Sequence, residues 1–237
     1  MNDVIIIIPT YNEFENIENI IRKIFSLQNN YHLLVIDDNS PDMTSQVVKK
    51  LISEFENKLF IKIRKAKLGL GSAYVAGFKY ALKKGYKHII TMDADLSHNP
   101  NDISRLIQNS GNLCIGSRYI SGINVVNWPL ERIILSYMAS LYVRIVLGMP
   151  VKDPTSGFVC YEAKKLKQLN LDSIKSNGYS FQIEMKFKFF LKKYILKEIP
   201  IIFTDRKFGK SKLNGSIIGE AFFEVILMKI RSYFKKQ

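Results

Sequence analysis

Apolar residues in this chain fall into short compact runs, separated by stretches in which they recur at helical spacing. Residues 4–8, VIIII, are aliphatic throughout and are closed by Pro9, the pattern of a central strand buried on both faces. Asn12 or Glu13 can then begin a helix, with Ile17, Ile20, Ile21 and Ile24 on one face. Residues 32–36 form a second aliphatic run that ends in Asp37-Asp38. The turn signal Asn39-Ser40-Pro41-Asp42 leads to a helix over 44–56, with Val47, Val48, Leu51 and Ile52 inward. Residues 59–63 predict a third strand, 65–71 a basic loop bearing glycines, 72–84 a helix and 88–92 a fourth strand. Strand and helix alternate, as in an α/β domain with a mainly parallel sheet, where ligands bind at the carboxyl ends of the strands.

The second half is less regular. Residues 113–117 predict a strand followed by Arg118-Tyr119, 123–129 a loop, and 130–147 an apolar helix carrying Arg132 and Arg144. A turn over 153–157 precedes a short strand at 158–161; a helix over 181–193 and a strand over 195–203 follow. Residues 206–212 contain four cations and a glycine, and an amphipathic helix runs from 216 to about 233. There is no internal repeat. The expected organisation is one domain over 1–215, with residues 216–237 as a C-terminal amphipathic helix that is part of it or lies in a membrane interface.

Composition narrows the partners. A net charge of +14 on 237 residues points to an anionic partner: nucleic acid, a membrane surface or a phosphorylated ligand. No helix-turn-helix, zinc or base-stacking signature is present, so nucleic acid is not expected. No G-x-G-x-x-G follows the first strand, which argues against a dinucleotide enzyme. Cys114 and Cys160 sit in apolar stretches and read as buried thiols in a reducing compartment. Neither a signal peptide nor an uninterrupted run of about 18 apolar residues is seen, so no membrane-spanning helix is expected.

The densest chemistry lies at Asp93-Ala94-Asp95. Residues two apart in an extended chain point the same way, so both carboxylates leave the strand end together. Two like charges so placed need protons or a cation between them, and Mg²⁺ or Mn²⁺ with phosphate oxygens as further ligands suits them. A polar turn capping the next helix is the plainer alternative for so short a motif. The second acidic pair, Asp37-Asp38, at the same end of another buried strand weighs against it.

PTYNE at 9–13, DDNSPD at 37–42, GLGSAY at 69–74, DADLSH at 93–98, GSRY at 116–119, DPTSGF at 153–158, GYSFQIE at 178–184 and DRKFGKSKL at 205–213 occur in the order found in dolichol-phosphate (polyprenol-phosphate) mannose synthases. The chain resembles that family, inverting glycosyltransferases of the GT-A fold, over nearly its whole length. The resemblance implies a Rossmann-like, mainly parallel sheet flanked by helices. It implies a GDP-mannose donor contacted by Pro9, Tyr11, Glu13, Ile36, Asp37, Asp38, Asp93 and Ala94. Asp93 and Asp95 would hold the metal, with Ser97 where some members have a glutamine. Arg206 and Lys212 would clamp the diphosphate, and Arg118, Arg132 and Ser136 would meet the phosphate of a polyprenyl or dolichyl acceptor. The same reaction with UDP-glucose or UDP-N-acetylglucosamine as donor, or a non-catalytic basic nucleic-acid- or membrane-binding role, are the alternatives. The resemblance also implies a cytoplasmic, peripheral protein on the cytoplasmic face of a membrane, alone or with a separate membrane-anchoring subunit.

Overall fold

The computed structural model describes residues 3–174, 176, 178–206 and 215–234, the last segment with side chains from 222 onward. In chain order the elements are β1 (Val4–Thr10), α1 (Phe14–Phe25), β2 (His32–Asp37), α2 (Thr44–Ile52), β3 (Leu59–Ile63), α3 (Leu70–Lys84), β4 (His88–Thr91), α4 (Asp102–Gln108), β5 (Leu113–Ser117), β6 (Val125–Val126), α5 (Leu130–Leu147), β7 (Val159–Glu162), α6 (Ala163–Leu166), a 3₁₀ turn (Leu171–Ser173), α7 (Gly178–Leu191), β8 (Leu196–Pro200), β9 (Phe203–Thr204) and α8 (Gly215–Phe234).

Seven strands form one sheet in the order β3-β2-β1-β4-β7-β5-β8. All run parallel except β7, which is antiparallel to both β4 and β5. The aliphatic run of β1 divides between the two faces, as a period of two requires. Ile6 and Ile8 pack with Ile17, Ile20 and Ile24 of α1, Val48 and Leu51 of α2, and Ile103 and Leu106 of α4. Ile5 and Ile7 face Tyr74 and Phe78 of α3 and Phe181, Met185 and Phe189 of α7. Burial on both sides is why these strands read as continuous apolar runs rather than alternating ones.

A third apolar cluster joins α5, α7 and α8 through Val143, Leu147, Ile183, Phe187, Val225 and Met228. Val225 and Met228 are buried against it, each contributing about 1.5–3 kcal/mol of burial free energy. The opposite side of α8 leaves Phe223 and Phe234 exposed, while Phe222, partly exposed, stacks on Tyr142 of α5 with ring centroids 4.2 Å apart.

Several boundaries differ from expectation. The helix expected over 44–56 ends at Ile52, and the one expected from 181 begins at Gly178. The strand expected over 195–203 is split: β8 completes the sheet, while β9 pairs with β6, inside the segment expected to be loop, as a two-stranded ribbon. Seven-residue α4 is an addition to the expected elements: Ile103, Leu106 and Ile107 fall at helical spacing, but over a segment of about two turns. Both cysteines are free and buried, as expected.

Candidate functional site

Parallel pairing brings the carboxyl ends of β1, β2, β4 and β5 to one edge. Because β7 runs the other way, the turn before it, residues 153–157, arrives at that same edge. Asp93 and Asp95 follow β4 there. The Asp93 side chain is 39% exposed and that of Asp95 7%. Around them lie Ser97, whose backbone N–H donates to Asp95 Oδ1 at 3.2 Å, and His98, whose Nδ1 is 3.8 Å from Asp93 Oδ2. Burial lowers the His98 pKa, against the pull of Asp93 and Asp95, so the ring is held neutral. Ser97 Oγ is buried without a hydrogen-bond partner, and Arg206 Nη2 is 3.2 Å from Asp95 Oδ2. This donor set fits a hard divalent cation: two carboxylates, one open to solvent, and a buried hydroxyl whose valence is unused. Among the described residues no group of three or more His, Cys, Asp or Glu side chains is arranged to hold a metal. Further ligands would then be substrate oxygens or water.

The second acidic pair has a different character. Asp37 is fully buried and accepts from Thr10 Oγ1 at 2.8 Å and from Ser40 N and Oγ at 2.9 and 2.6 Å. Three of about four acceptor positions are thus filled, leaving room for roughly one more donor. Asp38 pairs with Arg64 and accepts the backbone N–H groups of Leu68 and Gly69 at 3.0 and 3.2 Å. It therefore ties Arg64, just before the basic loop over 65–71, to Leu68 and Gly69 in the later part of that loop. Lys67 Nζ lies 4.3 Å above the Tyr11 ring, closing that loop over the end of β1. Pro9 lies in β1 and Ile36 in β2, and Glu13 caps the entry to α1, where its backbone N–H donates to Thr44 Oγ1 at 3.0 Å.

Beside Asp93 and Asp95 opens a cavity of about 410 Å³. One part holds the charged groups Asp93, Asp95, Arg118, Arg132 and Arg206, with His98, Ser136, Thr155 and Gly157 and the rings of Trp128 and Phe203 packed against Arg132 and His98. The other is apolar and lies between α5 and α8: Leu135, Met138, Ala139, Tyr142, Val143, Phe222 and Val225. All three residues expected to meet an acceptor phosphate line this cavity, but each is already engaged. Arg118 donates through N, Nε and Nη2 to Asp153 at 3.0, 2.7 and 2.6 Å, and through Nη2 to Thr155 Oγ1 at 2.7 Å. Burial alone would raise the Asp153 carboxyl; the Arg118 guanidinium reverses this and holds it below its ordinary value. Arg132 is 24% exposed, bonded to Asp205 at 2.9 Å and stacked 4.1 Å from the Trp128 ring. Ser136 Oγ accepts from Tyr119 Oη at 2.7 Å. Lys212 lies outside the described residues.

The carboxylates that pair these arginines, Asp153 and Asp205, stand in the motifs DPTSGF and DRKFGKSKL, where nothing in the sequence marks them as partners of Arg118 and Arg132. So did Lys186, a fully buried lysine whose Nζ donates to Ser156 O at 2.7 Å and Gln182 O at 3.1 Å, bracing the 153–157 turn from beneath. Burial pulls its pKa down to about 7, opposed by Asp153.

Residues 5–170 match the family model described as glycosyl transferase family 2. The chain is 40% identical over 230 residues to a polyprenol monophosphomannose synthase from Mycolicibacterium smegmatis, covering 96% of this chain and 87% of that one. It is also 40% identical over 224 residues to an undecaprenyl-phosphate mannosyltransferase from Micrococcus luteus, covering 94% and 92%. Among solved structures, glucosyl-3-phosphoglycerate synthase from Mycobacterium tuberculosis, in complex with Mn²⁺, UDP and glucosyl-3-phosphoglycerate, superposes with a TM-score of 0.69 at 18% identity, over 98% of this chain and 80% of that one. A mannosyltransferase from Pyrobaculum calidifontis, in complex with GDP-Man and Mn²⁺, gives 0.54 at 14% identity, over 97% and 73%. At those identities the structural likeness speaks for the fold alone.

Proposed function

The chain belongs to glycosyl transferase family 2 and has the GT-A fold, and from that premise we propose that it transfers mannose from GDP-mannose to the phosphate of a polyprenyl monophosphate. The observation that carries this reading is the two-ended cavity, with carboxylates and guanidinium groups at one end and an apolar passage between α5 and α8 at the other. An acceptor with an anionic head and a hydrocarbon tail matches both ends at once. The names of the two curated relatives support a polyprenyl phosphate as that acceptor and mannose as the sugar.

Asp93 and Asp95, with Ser97 beside them, would hold Mg²⁺ or Mn²⁺, which when bound would offset the negative charge of a departing diphosphate. Arg206 brings positive charge to the same place, 3.2 Å from Asp95. A phosphate monoester is already ionised near neutral pH, its second pKa being about 6, so its oxygen attacks without a general base. What the site must supply is position and charge. Arg118, locked by Asp153, and Arg132, stacked on Trp128 and partly exposed, bring two cations to the cavity wall with little freedom to lose on binding. Attack opposite the diphosphate inverts the anomeric carbon and gives a β-linked mannosyl phosphate lipid.

The acceptor resides in a bilayer, and the lip of the cavity suits one. Leu130, Ile134, Leu135 and Met138 of α5 and Phe222 and Phe223 of α8 are exposed large hydrophobics next to the apolar end. Among the described residues no helix is long and apolar enough to cross a membrane. Peripheral docking through α5 and α8, aided by the +14 charge on anionic lipid, accounts for both facts.

The test is transfer of radiolabel to polyprenyl phosphate in detergent, from GDP-mannose and, separately, from UDP-glucose and UDP-N-acetylglucosamine. Label in lipid from GDP-mannose is expected. Transfer from a UDP sugar alone would overturn the donor, and no transfer from any of them the reaction.

A further inference from the structure

Tyr179 stands in the first turn of α7, lines the cavity and is 37% exposed. Gly178 before it has a left-handed backbone, φ +57°, which suits glycine and turns the chain into the helix at the cavity wall. Ile183, four residues on and so on the same face of α7, lines the cavity as well. The Tyr179 ring belongs to none of the three apolar clusters, so the core does not call for it. Among the described residues its hydroxyl makes no hydrogen bond. Four charged side chains act on that hydroxyl: Asp93, Arg206, Arg118 and Arg132. The first two stand on the metal and diphosphate side of the cavity, the last two on the acceptor side. Desolvation and then Asp93 raise the phenol pKa, against the pull of the three arginines, so the hydroxyl keeps its proton near neutral pH.

A sugar passing between two phosphates is itself uncharged. It needs neutral hydrogen-bonding groups and an apolar surface for its C–H face. The other neutral polar side chains on the cavity wall are committed or shielded. His98 is 2% exposed, and its Nδ1 accepts from the Asp93 N–H at 3.4 Å. Ser136 is held by Tyr119 and Thr155 by Arg118. Ser156 Oγ donates to Gly116 O at 2.6 Å, and Tyr142 Oη to Phe222 O at 3.0 Å. Trp128 Nε1 is buried. Among the described residues Tyr179 alone combines exposure, an uncommitted hydroxyl and a place between the two sets of charges. A phenol also joins a flat apolar face to a polar tip, the two surfaces that a hexose presents.

We propose that Tyr179 is a sugar-binding residue of this transferase: its hydroxyl bonds one hydroxyl of the hexose, and its ring supports the sugar between the diphosphate at Asp93 and the acceptor phosphate at Arg118 and Arg132. This rests on the reading of the chain as a sugar-nucleotide transferase and adds to it the side chain that holds the sugar.

The experiment compares wild type, Tyr179→Phe and Tyr179→Leu. Transfer kinetics are measured with GDP-mannose and with GDP-deoxymannoses lacking one hydroxyl at a time, and GDP binding is measured by isothermal titration. Tyr179→Phe should lower kcat/KM for GDP-mannose about 2- to 10-fold, the size of one net hydrogen bond. Tyr179→Leu, which removes the ring as well, should lower it further. The Kd for GDP and the KM for the lipid phosphate should stay at their wild-type values, because neither molecule carries the sugar. Both variants should melt as wild type does, the ring lying outside the apolar clusters. One deoxy donor should lose the same factor on wild type and nothing further on Tyr179→Phe. Unchanged kcat/KM in Tyr179→Phe, or additive losses with every deoxy donor, would overturn the proposal. A loss confined to the KM for lipid phosphate would overturn it too, placing the hydroxyl on the acceptor instead. If wild type transfers a different sugar, the donor reading fails separately, and the same comparison is made with that sugar's nucleotide and its deoxy forms.

Discussion

Asp153→Asn is the perturbation whose consequence the structure defines best. Asp153 is fully buried and the Arg118 side chain is 9% exposed, so solvent hardly screens the pair. The carboxylate receives three N–H donors from Arg118 and the hydroxyl of Thr155. An asparagine of the same volume offers one acceptor oxygen and turns an NH₂ toward the remaining donors. At least one charge-assisted bond is lost, and a guanidinium is left buried without its counter-charge. Removing one partner of such a pair costs about 3–5 kcal/mol. For a chain of this size each kcal/mol lowers Tm by about 2–4 °C, so the variant should melt about 6–20 °C below wild type. Thermal melting followed by circular dichroism at pH 7 measures this directly. The folded-state pKa of Asp153 is depressed, so its contribution is present above the unfolded carboxyl pKa of about 3.9 and is lost as pH falls below it. The deficit should therefore persist from about pH 8 down to about pH 5, and grow below about pH 7, where Lys186 becomes charged and its attraction to Asp153 is lost in the variant. Replacing both partners with apolar residues, Asp153→Leu with Arg118→Met, should recover most of the stability, because an absent pair leaves no orphan charge. A single variant melting within 2 °C of wild type, or a double variant less stable than the single, would refute the reasoning.

Three other outcomes follow from the same geometry. Asp95→Ala should abolish transfer, by more than about 100-fold, while leaving the circular dichroism spectrum unchanged, and wild-type turnover would remove Asp95 from the diphosphate site. Lys186 has a folded pKa of about 7, below its unfolded value of about 10.4, so the unfolded chain binds more protons between them and stability should rise with pH from 7 to about 8.5. Buried Cys114 and Cys160, with raised pKa values, act in the opposite sense above that. Urea titrations of wild type and Lys186→Met at pH 7 and 8.5 isolate the effect, and identical pH slopes would count against it. Phe222→Asp with Phe223→Asp should weaken sedimentation with anionic vesicles several-fold while sparing GDP binding, and unchanged sedimentation would place the membrane contact elsewhere.

The strands were legible because a doubly covered sheet demands unbroken aliphatic runs, and VIIII at 4–8 can be little else. Strand direction was not, since β7 reads the same forwards and backwards until its partners β4 and β5 are known. Asp93 and Asp95 were visible as chemistry because two carboxylates at a strand end resist a purely structural account. The destinations of Asp38 and Arg118 were not visible: their partners Arg64 and Asp153 stand 26 and 35 residues away, a distance only the fold closes. Lys186 shows the same limit. In a helix where basic and aromatic residues alternate it looks solvated, yet it lies under the 153–157 turn with its charge on backbone carbonyls.

The inverted strand also bears on how the chain acquires its shape. β1 meets β2 through Ile5 and His32, and β2 meets β3 through Leu33 and Leu59, so each pairing closes over a single helix. β5 must wait for Tyr161 of β7 and for Leu196 of β8, far downstream. Long closures are slower because more chain must be ordered before contacts reward it. The half built on β1–β3 is thus expected to form while the half built on β5, β7 and β8 is still open, and, in synthesis from the N-terminus, before the latter has left the ribosome. Pulsed hydrogen exchange during refolding should protect the amides of β1 and β2 ahead of those of β5 and β8, and simultaneous protection would rule this order out.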